Sequence, residues 1–141
     1  MNINPTITEL KTKGFRITKV RNAIVNILSS NTNPLSVQEI IRLLYKKDLS
    51  ANKTTVYREL NFLLKQKLIS DIEFGDGKKR YELNTGLHHH HIVCISCGRV
   101  EDIEDFDYVF KTSEKKIQSK TGFNIMEHNI EFFGLCKTCQ H

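Results

Sequence analysis

Four cysteines fall in two pairs, Cys94-x-x-Cys97 and Cys136-x-x-Cys139. Two residues between thiols let one tight turn aim both sulfurs at a single ion. Two such turns complete a tetrahedral set of four thiolates, which suits Zn²⁺ and leaves no position open for substrate. A site of that kind is structural. It would tie the start of a small C-terminal domain to the end of the chain, and supply folding free energy that a small core lacks. The competing readings are four unligated thiols, an iron–sulfur cluster or a redox pair. Paired spacing favours zinc.

Immediately before the first pair stands His88-His89-His90-His91. In an extended segment alternate side chains point to opposite faces. His89 and His91 would then share one face, and His88 and His90 the other. Two metal sites can be seeded in this way. Carboxylates are at hand to complete them: Glu82 upstream, and Glu101, Asp102, Glu104, Asp105 and Asp107 downstream. His128 is a further donor from a later segment. Mixed nitrogen and oxygen sites accept Zn²⁺, Fe²⁺, Mn²⁺ or Ni²⁺. A single histidine is most often an ordinary surface or core residue; four in a row beside a thiolate site point to ligands.

These donors need elements to hold them. Thr18 is a good helix N-cap, and Val20, Ile24, Ile27 and Leu28 follow at helical spacing. Ser36 and Glu39 have capping-box spacing ahead of Ile40, Ile41 and Leu44. A third helix begins near Lys53 and turns Val56, Leu60, Leu63 and Leu64 inward. The period then changes. Residues 68–74 and 80–83 read as strands around Gly75-Asp76-Gly77, a hairpin signal. Three short helices and a hairpin describe a winged helix-turn-helix. Residues 84–87 read as a hinge. Beyond it, 92–95 and 100–103 read as strands, 107–120 as an amphipathic helix, and 123–133 as one long strand or two. The expected fold class is α+β: a winged-helix domain over 1–84 and a small α/β dimerisation domain with the four-cysteine zinc site over 85–141.

Charge divides at the same place. Residues 1–80 carry 15 Lys+Arg against 7 Asp+Glu, and residues 81–141 carry 6 against 9. A basic half joined to an acidic, His-rich half suggests nucleic acid on one side and cations on the other. The third helix reads Lys53-Thr-Thr-Val-Tyr-Arg58. A major-groove helix needs donors and an apolar contact on one exposed face. Arg58 suits guanine or phosphate, Tyr57 a thymine methyl or phosphate, and Thr54 and Thr55 phosphate at the helix start. Phosphate contacts are also expected from Lys13, Arg16, Lys19, Arg21 and Lys53, with Lys78 and Lys79 on the wing. No apolar run reaches the roughly 20 residues of a membrane helix, and residues 1–14 lack an apolar leader core. The expectation is a cytoplasmic chain.

Together these residues resemble the ferric uptake regulator (Fur) family of bacterial metalloregulators. The resemblance rests on Gly14-x-Arg16-Ile-Thr18-x-x-Arg21, Thr55-Val-Tyr-Arg58, Tyr81-Glu82, the histidine run, Cys94-x-x-Cys-Gly98 and Gly134-x-Cys136-x-x-Cys139. It implies a homodimer that binds double-stranded operator DNA through two winged helices, usually as a repressor of metal-uptake or stress genes. It places structural Zn²⁺ on Cys94, Cys97, Cys136 and Cys139. It places a regulatory divalent metal (zinc, iron or manganese) at the hinge, on Glu82, His89, His91 and Asp102. It places a further metal on His88, His90 and His128, with Asp107 or Glu104 as the carboxylate. One departure stands out. Many members donate a histidine to the hinge site from the loop between the first two helices, and here that loop is Asn31-Thr-Asn-Pro34. Asn33 and Asp71 are the candidate substitutes, and a site with fewer protein ligands is the alternative. Asp102 sits where peroxide-sensing members carry Asp and iron sensors more often carry Glu.

In this reading, metal at the hinge fixes the angle between the domains and so the spacing of the recognition helices. The competing functions are a peroxide-sensing member of the same family, a zinc hydrolase built on the histidine run, and a metal-storage protein or metallochaperone. The hydrolase needs an open metal position and a general base, and the chain has no His-Glu-x-x-His motif. It would also leave the basic helical half unexplained, so an enzyme is not expected. Storage predicts metal binding with no operator preference.

Overall fold

A computed structural model describes residues 3–86, 88–104 and 107–140. The chain divides into two compact units, Met1–Thr85 and Gly86–His141.

The N-terminal unit holds four helices: α1 (Pro5–Thr12), α2 (Lys19–Ser30), α3 (Val37–Tyr45) and α4 (Lys53–Lys65). Each starts on a side-chain cap that satisfies an otherwise orphaned N–H. Asn4 accepts from the Thr6 N–H with Pro5 in the first helical position. Thr18 accepts from Arg21 at 3.1 Å, and Asn52 from Thr55 at 2.8 Å. Ser36 and Glu39 close the expected capping box, with the Ser36 N–H donating to the Glu39 carboxylate at 2.7 Å. The apolar faces meet in one core, where Leu10, Ile24, Ile40, Leu44, Val56, Leu60 and Leu63 are fully buried.

The wing follows. Strands β2 (Ile69–Glu73) and β3 (Lys79–Leu83) pair antiparallel. The two-residue β1 (Leu35–Ser36) adds to the other edge of β3, opposite Tyr81 and Arg80. In the turn, Asp76 sits between Gly75 and Gly77, both at positive φ (79° and 75°) where a side chain would be strained. The Asp76 carboxylate accepts from the Lys78 N–H at 3.1 Å and from both Arg80 amino groups. The Arg80 hydrogen bonds, and then that of Lys78, hold its pKa down at about 2.

The C-terminal unit is a three-stranded sheet with one helix. β4 (His90–Cys94) lies between β5 (Val100–Ile103), antiparallel, and β6 (Glu131–Gly134), parallel. α5 (Asp107–Thr121) connects β5 to the segment that returns as β6. Gly122, at φ 74°, closes α5 by donating to the Gln118 carbonyl at 2.8 Å. The apolar core is thin. Val93, Cys94 and Val100 are the buried apolar side chains described there, and α5 buries none.

The structure adds to the expected elements and shortens one of them. α1 and β1 are additional elements. The strand expected over 123–133 is present only as Glu131–Gly134. A 3-10 turn (Lys137–Cys139) follows Cys136 and ends at Cys139. Leu87 of the expected hinge lies outside the described residues.

Candidate metal centres and nucleic-acid interface

The donor atoms of Cys94, Cys97, Cys136 and Cys139 all lie within 4.8 Å of one another. The Cys97 and Cys136 sulfurs are 3.8 Å apart. Four sulfurs at about 2.3 Å from a central zinc would stand about 3.8 Å apart, so the cluster has the size of a Zn²⁺ site. It is too open for a disulfide, whose sulfurs are about 2.05 Å apart. Two turns build it. Cys94 ends β4, and its carbonyl accepts from the Gly98 N–H at 2.9 Å. The Cys136 carbonyl accepts from the Cys139 N–H at 2.9 Å.

The electrostatics call for a cation. Backbone N–H groups, that of Cys136 first and then Cys97, draw the Cys94 thiol down to about 6. The Cys136 N–H lies 3.3 Å from its sulfur. Cys139 is pushed up to about 12, chiefly by its hydrogen bond with Cys136. The Cys94 thiolate forms readily while Cys139 resists further negative charge. A divalent ion held by all four removes that conflict.

The histidine run divides between faces as a pleated strand requires. His88 and His90 rings meet edge-on at 4.7 Å, and His89 and His91 rings at 4.8 Å. On the first face, His88, His90, Asp107 and His128 bring their donor atoms within 4.8 Å of one another. His88 Nε2 is 3.0 Å from His128 Nε2, and Asp107 Oδ1 is 3.2 Å from His90 Nε2 and 3.4 Å from His88 Nε2. These are the spacings of ligands gathered on one small cation with bonds of about 2.0–2.2 Å. His90 is 3% exposed. Burial first, then the nearby His88, lowers its pKa and favours the neutral imidazole that a metal requires.

Glu114, on α5, takes the Nδ1 side of His128. That leaves Nε2 facing His88, and a carboxylate behind a ligating histidine fixes both tautomer and ring direction. Glu114 was not anticipated, although a signal existed. It follows Asp107 by two helical turns, with Lys111 between them on the same stripe. Asp107, and not Glu104, joins this cluster; Asp105 lies outside the described residues. A pocket of about 340 Å³ opens beside it, lined by His88, Asp107, Lys111, Glu114, Met126 and His128 among others.

On the second face, His91 pairs in register with Asp102 across β4 and β5. His91 Nε2 is 3.4 Å from Asp102 Oδ1. His91 is buried, at 5% exposure. His89, His91 and Asp102 therefore form a two-nitrogen, one-carboxylate set within the C-terminal unit, suited to the same cations. Glu82 stands on β3 of the other unit. Of the two candidate substitutes for the absent loop histidine, Asp71 is held by Lys79 at 3.0 Å and Asn33 is exposed.

In the N-terminal unit, the outward face of α4 lines an open groove of about 630 Å³, formed by Thr54, Tyr57, Arg58, Asn61, Phe62 and Lys65. Lys53 and Arg58 are exposed, and Tyr57 is 40% exposed. Thr55 is half-buried, with its N–H on the Asn52 cap. Lys13, Arg16 and Lys19 are exposed, and Lys13 reaches Glu9 at 2.7 Å. Lys78 is exposed on the wing, and Lys79 is engaged with Asp71. Arg21 differs from the other expected phosphate contacts. Its side chain is 13% exposed and is paired with Glu59 at 2.7 Å. No described helix is long and apolar enough to cross a membrane.

A family model described as the ferric uptake regulator family matches residues 12–133. The ferric uptake regulation protein of Bacillus subtilis (strain 168) is 33% identical over 135 residues, covering 93% of this chain and 89% of that protein. The solved structure of the Helicobacter pylori ferric uptake regulator Fur, described as having three functional metal binding sites, superposes with a TM-score of 0.79 at 30% identity. That match covers 97% of this chain and 90% of the other. The Streptococcus pyogenes PerR structure, described in terms of peroxide sensing and gene regulation, matches with a TM-score of 0.53 at 27% identity. It covers 96% of this chain and 91% of that one.

Proposed function

The chain belongs to the ferric uptake regulator family, and from that premise we propose that it is a dimeric repressor whose operator binding is switched on by a divalent metal held at His89, His91 and Asp102. The observation that carries this is the division of one histidine run, whose last two residues open β4, between two sides, each meeting a carboxylate: Asp102 on one, Asp107 on the other. A structural role explains neither pair, because buried imidazoles beside carboxylates add little to a core this thin. The four cysteines hold Zn²⁺ that stays in place. His89, His91 and Asp102 hold the exchangeable ion, which is zinc, iron or manganese. The family resemblance adds Glu82 to that set. His88, His90, Asp107 and His128 take a further ion.

The chemistry asked of these side chains is binding alone. His91 lies buried in β4 with its ring nitrogen turned to Asp102, so that pair is preorganised before an ion arrives. If metal raises operator affinity, operator raises metal affinity by the same factor. The α4 groove supplies the DNA surface, with Arg58 and Tyr57 toward base edges and Lys13, Arg16, Lys19 and Lys53 toward phosphates. Thr54 and Thr55 stand at the start of the same helix.

A second copy is expected on the C-terminal unit. Ile92 and its register partner Phe132 are 40% and 41% exposed, and Phe133 and Leu135 are about half exposed. A domain with so few buried side chains gains its stability from zinc and from a partner surface. Two copies would present two α4 helices, which read successive major grooves when about 34 Å apart.

The test is operator binding by protein stripped with a mild chelator that leaves the thiolate zinc in place. Zn²⁺, Mn²⁺ and anaerobic Fe²⁺ are then titrated against promoter DNA. One metal should switch on sequence-specific binding, and His89→Ala/His91→Ala should abolish the response while zinc content holds. Equal binding with and without added metal rejects the switch. A second reading, peroxide sensing, rests on the family resemblance, which has Asp at the position of Asp102 in peroxide-sensing members. It predicts that peroxide releases the Fe²⁺-loaded protein from DNA but spares the Mn²⁺-loaded protein.

A further inference from the structure

Arg21, at the start of α2, and Glu59, in the middle of α4, are 38 residues apart and form a closed pair. Arg21 Nε donates to Glu59 Oε2 at 2.7 Å, and Nη2 donates to Oε1 at 3.3 Å. Each side chain is 13% exposed. The remaining face of the guanidinium is also occupied. Its carbon lies 3.9 Å from the centre of the Phe62 ring, and that ring meets Phe15 edge-on at 5.0 Å. Nη1 donates to the Arg16 carbonyl at 2.7 Å. One side chain thus binds α4 twice, through Glu59 and Phe62, and binds the segment between α1 and α2 once.

A guanidinium fork against a carboxylate fixes direction as well as distance. Glu59 follows Tyr57 and Arg58 on α4, so holding Glu59 fixes the roll of the helix and the aim of both neighbours. The anchored Arg16 carbonyl lies in the segment that carries the exposed Lys13 and Arg16. We propose that Arg21 and Glu59 are a positioning pair, which sets the roll of α4 and the path of residues 13–18 so that both meet one DNA duplex, and that Arg21 is not a phosphate contact. This rests on the operator-binding reading above. Its consequence is a carboxylate on the DNA-reading helix that strengthens recognition.

The two roles of Arg21 give opposite signs on removal of Glu59. Operator and scrambled duplexes are titrated over a salt series with metal-loaded wild type, E59A, E59Q, R21A and R21A/E59A, and melting is recorded for each. E59A is expected to lose operator affinity by about tenfold or more, within the range of coupled residues in one network. Its scrambled-duplex affinity and salt slope should stay near wild type. The double variant should be no worse than R21A alone, and E59Q, which keeps the shape and one acceptor oxygen, should recover most of the loss. If E59A instead binds both duplexes more tightly and its salt slope steepens by about 0.9 per protomer, Arg21 is a restrained phosphate contact and the inference is overturned. E59Q and E59A both matching wild type on operator also overturns it. Should E59A fail to fold, R21K, which keeps the charge and loses the fork, decides: a lowered operator preference with an unchanged slope upholds the pair, while R21K at wild-type preference overturns it. A wild type with no operator preference sinks the functional reading itself, and is seen before any variant is made.

Discussion

Lys53→Ala tests the electrostatic footprint and separates it from folding. Lys53 is the first residue of α4 and is exposed. A cation at a helix N-terminus opposes the helix dipole, at a cost of about 0.3–1 kcal/mol. Asn52 supplies the cap, so the helix start does not depend on Lys53. The variant should therefore melt at the wild-type temperature or slightly above it. DNA binding should move the other way. Lys13, Arg16, Lys19 and Lys53 offer about eight phosphate contacts in a dimer, which gives a slope of log K against log salt near −7. Raising salt from about 50 to about 200 mM should then cost roughly 10⁴-fold in affinity. Lys53→Ala removes one contact per protomer and brings the slope to about −5.4. By the same relation it loses roughly 30-fold at about 0.15 M salt, equally on operator and scrambled DNA. Fluorescence anisotropy on labelled duplexes measures both slopes. A variant with the wild-type slope and affinity removes Lys53 from the interface. A wild-type slope near zero refutes the phosphate footprint as a whole.

Replacing Cys97 with Ser removes one of four zinc donors; hydrogen exchange should show residues 86–141 losing protection while the helices of Met1–Thr85 keep theirs, and full protection throughout would show that zinc is dispensable to the fold. Glu114→Gln should weaken metal binding at His88, His90, Asp107 and His128 by about 10–100-fold, with the thiolate zinc unaffected; unchanged affinity in a chelator competition would deny Glu114 a role behind His128. In an NMR titration the Asp76 carboxyl should titrate near 2, held there first by Arg80. Because its folded pKa is depressed, the stabilisation it lends the wing is present above the ordinary carboxylate range and lost as pH falls toward 2; an ordinary value in the wild type would show that the Arg80 fork does not persist in solution. Phe132→Glu should convert dimer to monomer in sedimentation without loss of zinc, and an intact dimer would place the second copy elsewhere.

Local chemistry was legible in the sequence wherever a residue acts on its own neighbours. Thr18 and the Ser36–Glu39 box start their helices as expected, because a cap is satisfied within three residues. The division of the histidines followed from the pleat alone once that segment was extended. The missed α1 had a readable start in Asn4-Pro5, but its eight residues carry only two buried side chains to mark a stripe. β1 had no local signal, since two residues become a strand only by finding Tyr81 and Arg80 more than forty positions away.

In two further places tertiary partners decide what residue type does not reveal. Residues 123–130 mix apolar and polar side chains in a way that suits a strand, yet the Ile125 N–H donates to the Gln118 side chain on α5 at 2.7 Å and is not part of a ladder. That bond ties the returning chain to the helix and helps bring His128 to Glu114, so the segment that fails as a strand is the one that delivers a metal ligand. Arg21 reads from its type and its basic surroundings as one more phosphate contact. Glu59 and Phe62 lie on a different helix, and nothing in the spacing of either announces that they face Arg21. A cation already paired and nearly buried would have to break two short hydrogen bonds to reach a phosphate, exchanging one charge-assisted contact for another at the cost of the helix it holds. Its charge therefore counts toward the shape of the DNA-binding face, and the salt slope worked out above omits it for that reason.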